Sequence, residues 1–159
     1  MSSYECMLLD IKNHVATVAI NRPGVMNALN WQAYAELEQI FRDLQNDPEV
    51  RCIILTGSGR AFCSGDDVKE IMLKIGSSEG GSNRLKEVRP GTTPAARAIL
   101  DCDRPVIAAV NGAAVGWGMD LSLMADFRIA SDKAKFGELF VKRGLVADVG
   151  GMVRLPKLV

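Results

Sequence analysis

The 159-residue sequence is short of several groups on which familiar chemistries depend. It holds one histidine, His14, so a serine triad at the Ser64-Gly65 turn has no second histidine to serve it. A histidine-based metal site is excluded on the same ground, and no metal is expected. Nineteen basic and nineteen acidic residues cancel, which removes the electrostatic footprint of a nucleic-acid partner. No apolar run approaches membrane-spanning length. Residues 1–20 carry three charged side chains before Asn13 and no apolar leader or small-residue cleavage pattern, so neither membrane contact nor a secretory signal is expected. Cys6, Cys52, Cys63 and Cys102 form no C-x-x-C pair, and three of them lie in or beside apolar runs as small hydrophobes do, which fits a reduced, cytoplasmic protein. The phosphate-loop, H-E-x-x-H and G-x-S-x-G motifs are missing. Gly57-Ser58-Gly59 also lacks the third glycine of a dinucleotide fingerprint, because Phe62 stands there.

What remains is a succession of strands, turns and helices. Residues 5–11 and 15–20 read as a hairpin around Lys12-Asn13-His14, with His14 structural, and Asn21-Arg22-Pro23-Gly24 ends the second strand. Asn30 reads as an N-cap for a helix over 31–46, where Tyr34, Leu37, Ile40, Phe41 and Leu44 recur at spacings of three and four. A strand at 52–56 and a short helix near 67–75 follow, the latter capped by Asp67. The glycine- and serine-rich residues 76–92 read as a mobile loop and candidate lid. Further elements are expected as helix 94–101, strand 106–110, helix 117–124, strand 127–130 and a helix from Gly150 through Leu158. Repeated strand–turn–helix units argue for a single α/β domain over 1–159 with parallel pairing. The terminal apolar residues Met152, Val153, Leu155 and Leu158 ask for a covering layer, from a partner subunit or from further chain.

Two glycine turns follow apolar strands: Thr56-Gly57-Ser58-Gly59 leading to Ser64-Gly65-Asp66-Asp67, and Asn111-Gly112 leading to Gly116-Trp117-Gly118. They read either as tight loops or as ligand-binding turns with outward backbone N–H groups; facing each other, they would form an oxyanion hole.

The strings Ala61-Phe62-Cys63-Ser64-Gly65-Asp66-Asp67-Val68 and Ala108-Ala109-Val110-Asn111-Gly112 through Asp120 resemble the crotonase superfamily of enoyl-CoA hydratases and isomerases. So do Asn21-Arg22-Pro23, Asn27-Ala28-Leu29, Phe136-Gly137-Glu138 and Gly150-Gly151, in the same order along nearly the whole chain. The resemblance implies a crotonase-like (ClpP/crotonase) α/β spiral of β-β-α units. It also implies a core domain truncated before the family's C-terminal helices, which close the acyl pocket and build a trimer face. A CoA thioester is the implied substrate, with no covalently bound cofactor, and a homo-oligomer, trimer or hexamer, is the implied assembly. The backbone N–H groups of Asp66 and Trp117 match the oxyanion hole, and Ser64 matches the adenine contact through its carbonyl. Gly65, Asp67, Gly116 and Phe140 fall at CoA- or substrate-binding positions.

The resemblance is partial at the acid–base positions. Asp120 matches the first of two hydratase glutamates with a shorter carboxylate, while Phe140 occupies the second. Asp148 matches an aspartate of the dienoyl-CoA isomerase branch, which also carries a glutamate where Phe140 stands. Asp120 and Asp148 are therefore the expected catalytic pair; their bland roles are a helix-dipole carboxylate and a helix cap. Asp126 and Glu138 read as structural. Isomerisation and hydration both remain open, with Phe140 favouring the former. A non-catalytic acyl-CoA-binding or assembly subunit, and decarboxylation or C–C hydrolysis of a CoA thioester, are the alternatives.

Overall fold

Apolar alternation builds the larger of two sheets. The computed structural model describes residues 4–72, 92–147 and 149–159. Strand β1 (Met7–Lys12) reverses at Asn13 and His14, both left-handed (φ 52° and 66°), into β2 (Val15–Ile20). In β2 every second residue, Ala16, Val18 and Ile20, is buried; β3 (Cys52–Gly57) repeats this with Ile53 and Leu55, as does β5 (Val106–Val110) with Val106, Ala108 and Val110. One face of a pleated strand thus faces the core. With β7 (Phe127–Ala130), these strands form a sheet in the order β1-β2-β3-β5-β7, antiparallel only between β1 and β2.

Helix α1 (Trp31–Asn46) buries Leu37, Ile40, Phe41 and Leu44 from one stripe. Asn30 caps it by accepting from the Ala33 N–H at 3.0 Å. Helix α2 (Pro94–Leu100) starts on the Thr93 cap and buries Ala95, Ala96, Ala98 and Ile99. Helix α3 (Trp117–Met124) is buried along its whole length, and α4 (Gly151–Leu158) ends the described chain.

Each later strand of the large sheet is followed within a few residues by a three-residue strand of a second sheet. β4 (Ala61–Cys63), β6 (Ala113–Val115) and β8 (Lys135–Gly137) follow β3, β5 and β7 in turn. They pair in parallel, in the order β4-β6-β8. Their C-terminal ends therefore leave the sheet side by side, and in open parallel sheets that edge is where ligands are bound.

The expected elements agree with these to within a residue or two, apart from the short strands of the second sheet, which were not anticipated. Of the short helix expected near 67–75, residues to Met72 are described, and Val68–Met72 forms a π-helical turn. The candidate lid, 76–92, lies outside the described residues in all but its last position. His14 is structural, its Nδ1 lying 2.8 Å from the Glu49 carbonyl oxygen. Asp126 is structural as well, accepting from the Val106 N–H at 2.8 Å.

Candidate active site at the end of the parallel strands

The turn between β3 and β4 is held by two asparagines. Asn27 is fully buried and left-handed (φ 57°); its Oδ1 accepts from the Arg22 N–H at 2.9 Å, and its Nδ2 donates to the Ser58 and Ala61 carbonyls at 2.9 and 2.8 Å. Asn111 Nδ2 donates to the carbonyls of Gly57, Gly59 and Ala61 at 2.9, 2.9 and 3.2 Å. Amides with this many bonds fix the backbone around them. On the outer side, Leu29 donates to the Gly65 carbonyl and accepts from the Asp67 N–H, each at 2.8 Å, so the chain entering α1 brackets Asp66.

Gly65 (φ 90°) and Gly116 (φ 55°) make the two turns possible, because a side chain at either would force the left-handed strain that glycine escapes. A Cβ on Gly65 would also stand 2.9 Å from the Val115 carbonyl oxygen and 3.4 Å from the Trp117 nitrogen. The turns therefore touch backbone to backbone. Gly116 donates to the Gly137 carbonyl at 2.8 Å, which ties the second turn to the end of β8. Trp117 then opens α3, where a backbone N–H has no carbonyl one turn back to bond. The helix dipole adds positive potential at that spot.

A pocket of about 170 Å³ occupies the junction. Ser64, Gly65, Asp66 and Val68 line it from the end of β4, Val115, Gly116 and Trp117 from the end of β6, and Leu139, Phe140, Arg143 and Leu145 from the segment after β8. Of the expected site residues, Ser64, Gly65, Asp66, Gly116, Trp117 and Phe140 thus meet at one cavity. Asp67 does not line it. Its carboxylate bonds Arg22 Nη1 at 3.0 Å and caps the N–H groups of Lys69 and Glu70, the capping role also read for it. Burial alone would raise the Asp67 carboxyl, but the Arg22 hydrogen bond and charge and the two backbone N–H groups outweigh it and hold it below the usual carboxylate range.

Asp120 sits in the first turn of α3, fully buried behind the pocket wall. Asp148 lies outside the described residues. Glu138, expected to be structural, is brought against Asp120 instead. A Cβ on Gly151, the first residue of α4, would collide with both Asp120 Oδ1 and Glu138 Oε1. Both Glu138 oxygens are enclosed and have no hydrogen-bond partner among the described residues. Burial, then the nearby charge of Asp120, pushes the Glu138 carboxyl up to about 7. A glutamic acid that holds its proton near neutrality, beside a second carboxylate, is equipped for proton transfer. The signal available for it was its place directly after Phe136-Gly137, where a charged residue leaves an otherwise apolar turn.

Burial pushes the Cys63 thiol up to about 12, so it is unreactive, and its sulfur accepts from the Gly65 N–H at 3.5 Å. Among the described residues, no group of three or more His, Cys, Asp or Glu side chains is placed to hold a metal ion, and no helix is long and apolar enough to cross a membrane.

Comparison with known proteins agrees with this fold. The family model for enoyl-CoA hydratase/isomerase matches residues 10–159. The crotonyl-CoA hydratase of Syntrophomonas wolfei subsp. wolfei is 38% identical over 158 residues, which are 99% of this chain and 58% of that protein. The peroxisomal Delta(3,5)-Delta(2,4)-dienoyl-CoA isomerase of Arabidopsis thaliana is 36% identical over 168 aligned residues, covering 100% of this chain and 60% of the relative. Among solved structures, a provisionally named enoyl-CoA hydratase from Streptomyces coelicolor A3(2) superposes with a TM-score of 0.87 at 39% identity, over 99% of this chain and 57% of its own. The chain thus spans somewhat over half the length of the relatives it matches.

Proposed function

Because the chain belongs to the enoyl-CoA hydratase/isomerase family, we propose that it binds an acyl-CoA thioester and moves or hydrates a double bond near C2. The observation that carries this reading is the contact between the two glycine turns, Gly65 against Val115 and Trp117, at the wall of one pocket. The thioester oxygen fits between the N–H groups of Asp66 and Trp117. When a proton leaves C2, the electron pair moves onto that oxygen, and the two donors and the α3 dipole stabilise the charge. Losing one such donor costs about 3 kcal/mol of transition-state stabilisation.

The released proton passes to a carboxylate. Asp148 and Asp120 are the residues assigned this transfer, and Glu138 joins them as a protonated partner of Asp120. Return of a proton to C4 shifts the double bond into conjugation. Phe140 in the pocket wall presents an apolar ring where a water-holding carboxylate is needed for addition at C3, which supports isomerisation over hydration. Arg143 at the same pocket supplies a cation for an anionic ligand, as the phosphates of CoA require. A cytoplasmic homo-oligomer, acting on fatty acyl groups, completes the reading; the exposed side chains of Phe127, Ile129, Met152 and Val153 are apolar surface that such an assembly would bury.

The test is product mass and ultraviolet absorbance after mixing the protein with 2-enoyl-, 3-enoyl- and dienoyl-CoA. Unchanged mass with a moved conjugation band supports isomerisation, and a gain of one water supports hydration. Thioester binding without turnover would refute the catalytic reading in favour of a binding subunit. Full activity in both Asp120→Asn and Asp148→Asn would refute the carboxylate assignment.

A further inference from the structure

We propose that Tyr34, on the first helix, is a positioning residue that sets both donors of the oxyanion hole. The inference rests on the oxyanion-hole reading above and assigns a residue outside the pocket lining to it.

Tyr34 touches both sides of the hole. Its hydroxyl donates to Asp66 Oδ1. Its ring meets the Trp117 indole edge-on, with centroids 4.9 Å apart and planes at 88°, the geometry that aromatic quadrupoles favour. The residues whose N–H groups would hold the thioester oxygen are therefore joined through one side chain that neither glycine motif contains.

Each contact has a consequence for catalysis. Asp66 lines the pocket, so its carboxylate is a negative charge beside the place where an enolate must form. Donation by the Tyr34 hydroxyl turns Oδ1 toward α1 and draws that charge off the site. The Trp117 indole Nε1 is buried and has no hydrogen-bond partner among the described residues, so the ring is oriented by packing, and the edge-on Tyr34 ring is a wall of that packing. Both turns are already fixed at the backbone, one by the Leu29 bridge and the other by the Gly116 bond to Gly137. Tyr34 joins the two halves across the gap. Small errors in their separation matter, because donor placement within an ångström governs rate.

The experiment uses a CoA thioester that reports carbonyl polarisation, 4-dimethylaminocinnamoyl-CoA, whose absorption moves to the red when donors pull on the thioester oxygen. The wild-type protein is expected to redden the bound probe. Tyr34→Phe keeps the packed ring and loses the hydroxyl; it is expected to bind the probe with unchanged affinity, redden it less, and lower kcat about 10-fold with KM held. Tyr34→Ala, which loses both contacts, is expected to lower kcat about 100-fold. Probe affinity certifies a formed pocket in each variant. If the wild type reddens the probe and Tyr34→Phe reddens it equally, with equal kcat, the Tyr34 proposal is overturned and the oxyanion-hole reading stands. A wild-type protein that binds the probe and leaves its band unmoved would overturn that reading itself.

Discussion

Replacing Glu138 by glutamine should make the protein more stable in alkali and leave it unchanged in acid. The glutamate is enclosed at both oxygens and pressed against Asp120, and burial followed by that neighbouring charge lifts its carboxyl from the ordinary 4.5 to about 7. The folded state therefore keeps the proton at pH values where the unfolded chain has released it. Below the unfolded value both states are protonated, and the native contribution is intact. As pH climbs through the folded value, that contribution is lost, since the native state must then hold an ionised group out of water. Each tenfold difference in proton affinity is about 1.4 kcal/mol, and with the part-exposed stem screened by solvent the loss comes to about 2 kcal/mol. Glutamine has the same shape and no proton to lose. Urea unfolding of wild type and Glu138→Gln should give equal free energies near pH 4 and a gap of about 2 kcal/mol in favour of glutamine near pH 8.5. On a chain this long the gap corresponds to about 4–8 °C in Tm. Asp120→Asn should shrink the pH-dependent step without abolishing it, because burial is the larger cause. A gap independent of pH, or a glutamine variant weaker than wild type in alkali, would refute the reasoning.

Other consequences can be measured on the same footing. Asn27→Ala removes three hydrogen bonds, one buried and two part-buried, and the side chain suited to a left-handed backbone; it should cost about 3 kcal/mol, read as a drop in the urea midpoint. Arg22→Met leaves Asp67 without its cation and should cost about 3 kcal/mol at neutral pH. Because the Asp67 carboxyl is held low, its contribution is present above the unfolded value and fades as pH falls through the folded one, so the two proteins should converge in acid. Mass spectrometry after maleimide treatment of the native protein at mildly alkaline pH should find Cys52 and Cys102 modified before Cys63; equal labelling would contradict its burial.

The long elements announce themselves in the sequence through period. Ala16, Val18 and Ile20 alternate, and Leu37, Ile40, Phe41 and Leu44 recur on one helical face, so strands and helix were readable with their ends. The second sheet was not. Ala61–Cys63, Ala113–Val115 and Lys135–Gly137 are three residues each, too short for a period, and are strands only because parallel neighbours pair with them. That Ser64, Gly65, Gly116 and Trp117 stand at one pocket could be anticipated from their motifs, since a turn's backbone conformation is a local property. The partners of Glu138 and Tyr34 could not. Tyr34 keeps the core-facing spacing of α1, yet its hydroxyl reaches a residue 32 positions away, a meeting that only the folded chain reveals. Glu138 sits two residues before the position where a glutamate was sought, and the turn after β8 carries its carboxylate to Asp120.

The three short strands also divide the labour of the site in a way that bears on how its chemistry can be altered. Two of them end in main-chain groups, which no side-chain replacement at Asp66 or Trp117 deletes. The third ends in a run of side chains, from Glu138 through Leu145. On the proposed reading, polarising the carbonyl is written into the path of the backbone, whereas the pocket wall beside it is written in exchangeable residues. A library randomised over 138–145 should reshape the pocket wall while the main-chain donors proposed for the thioester oxygen stay in place, which makes that segment the place to begin in retuning the protein toward a different thioester.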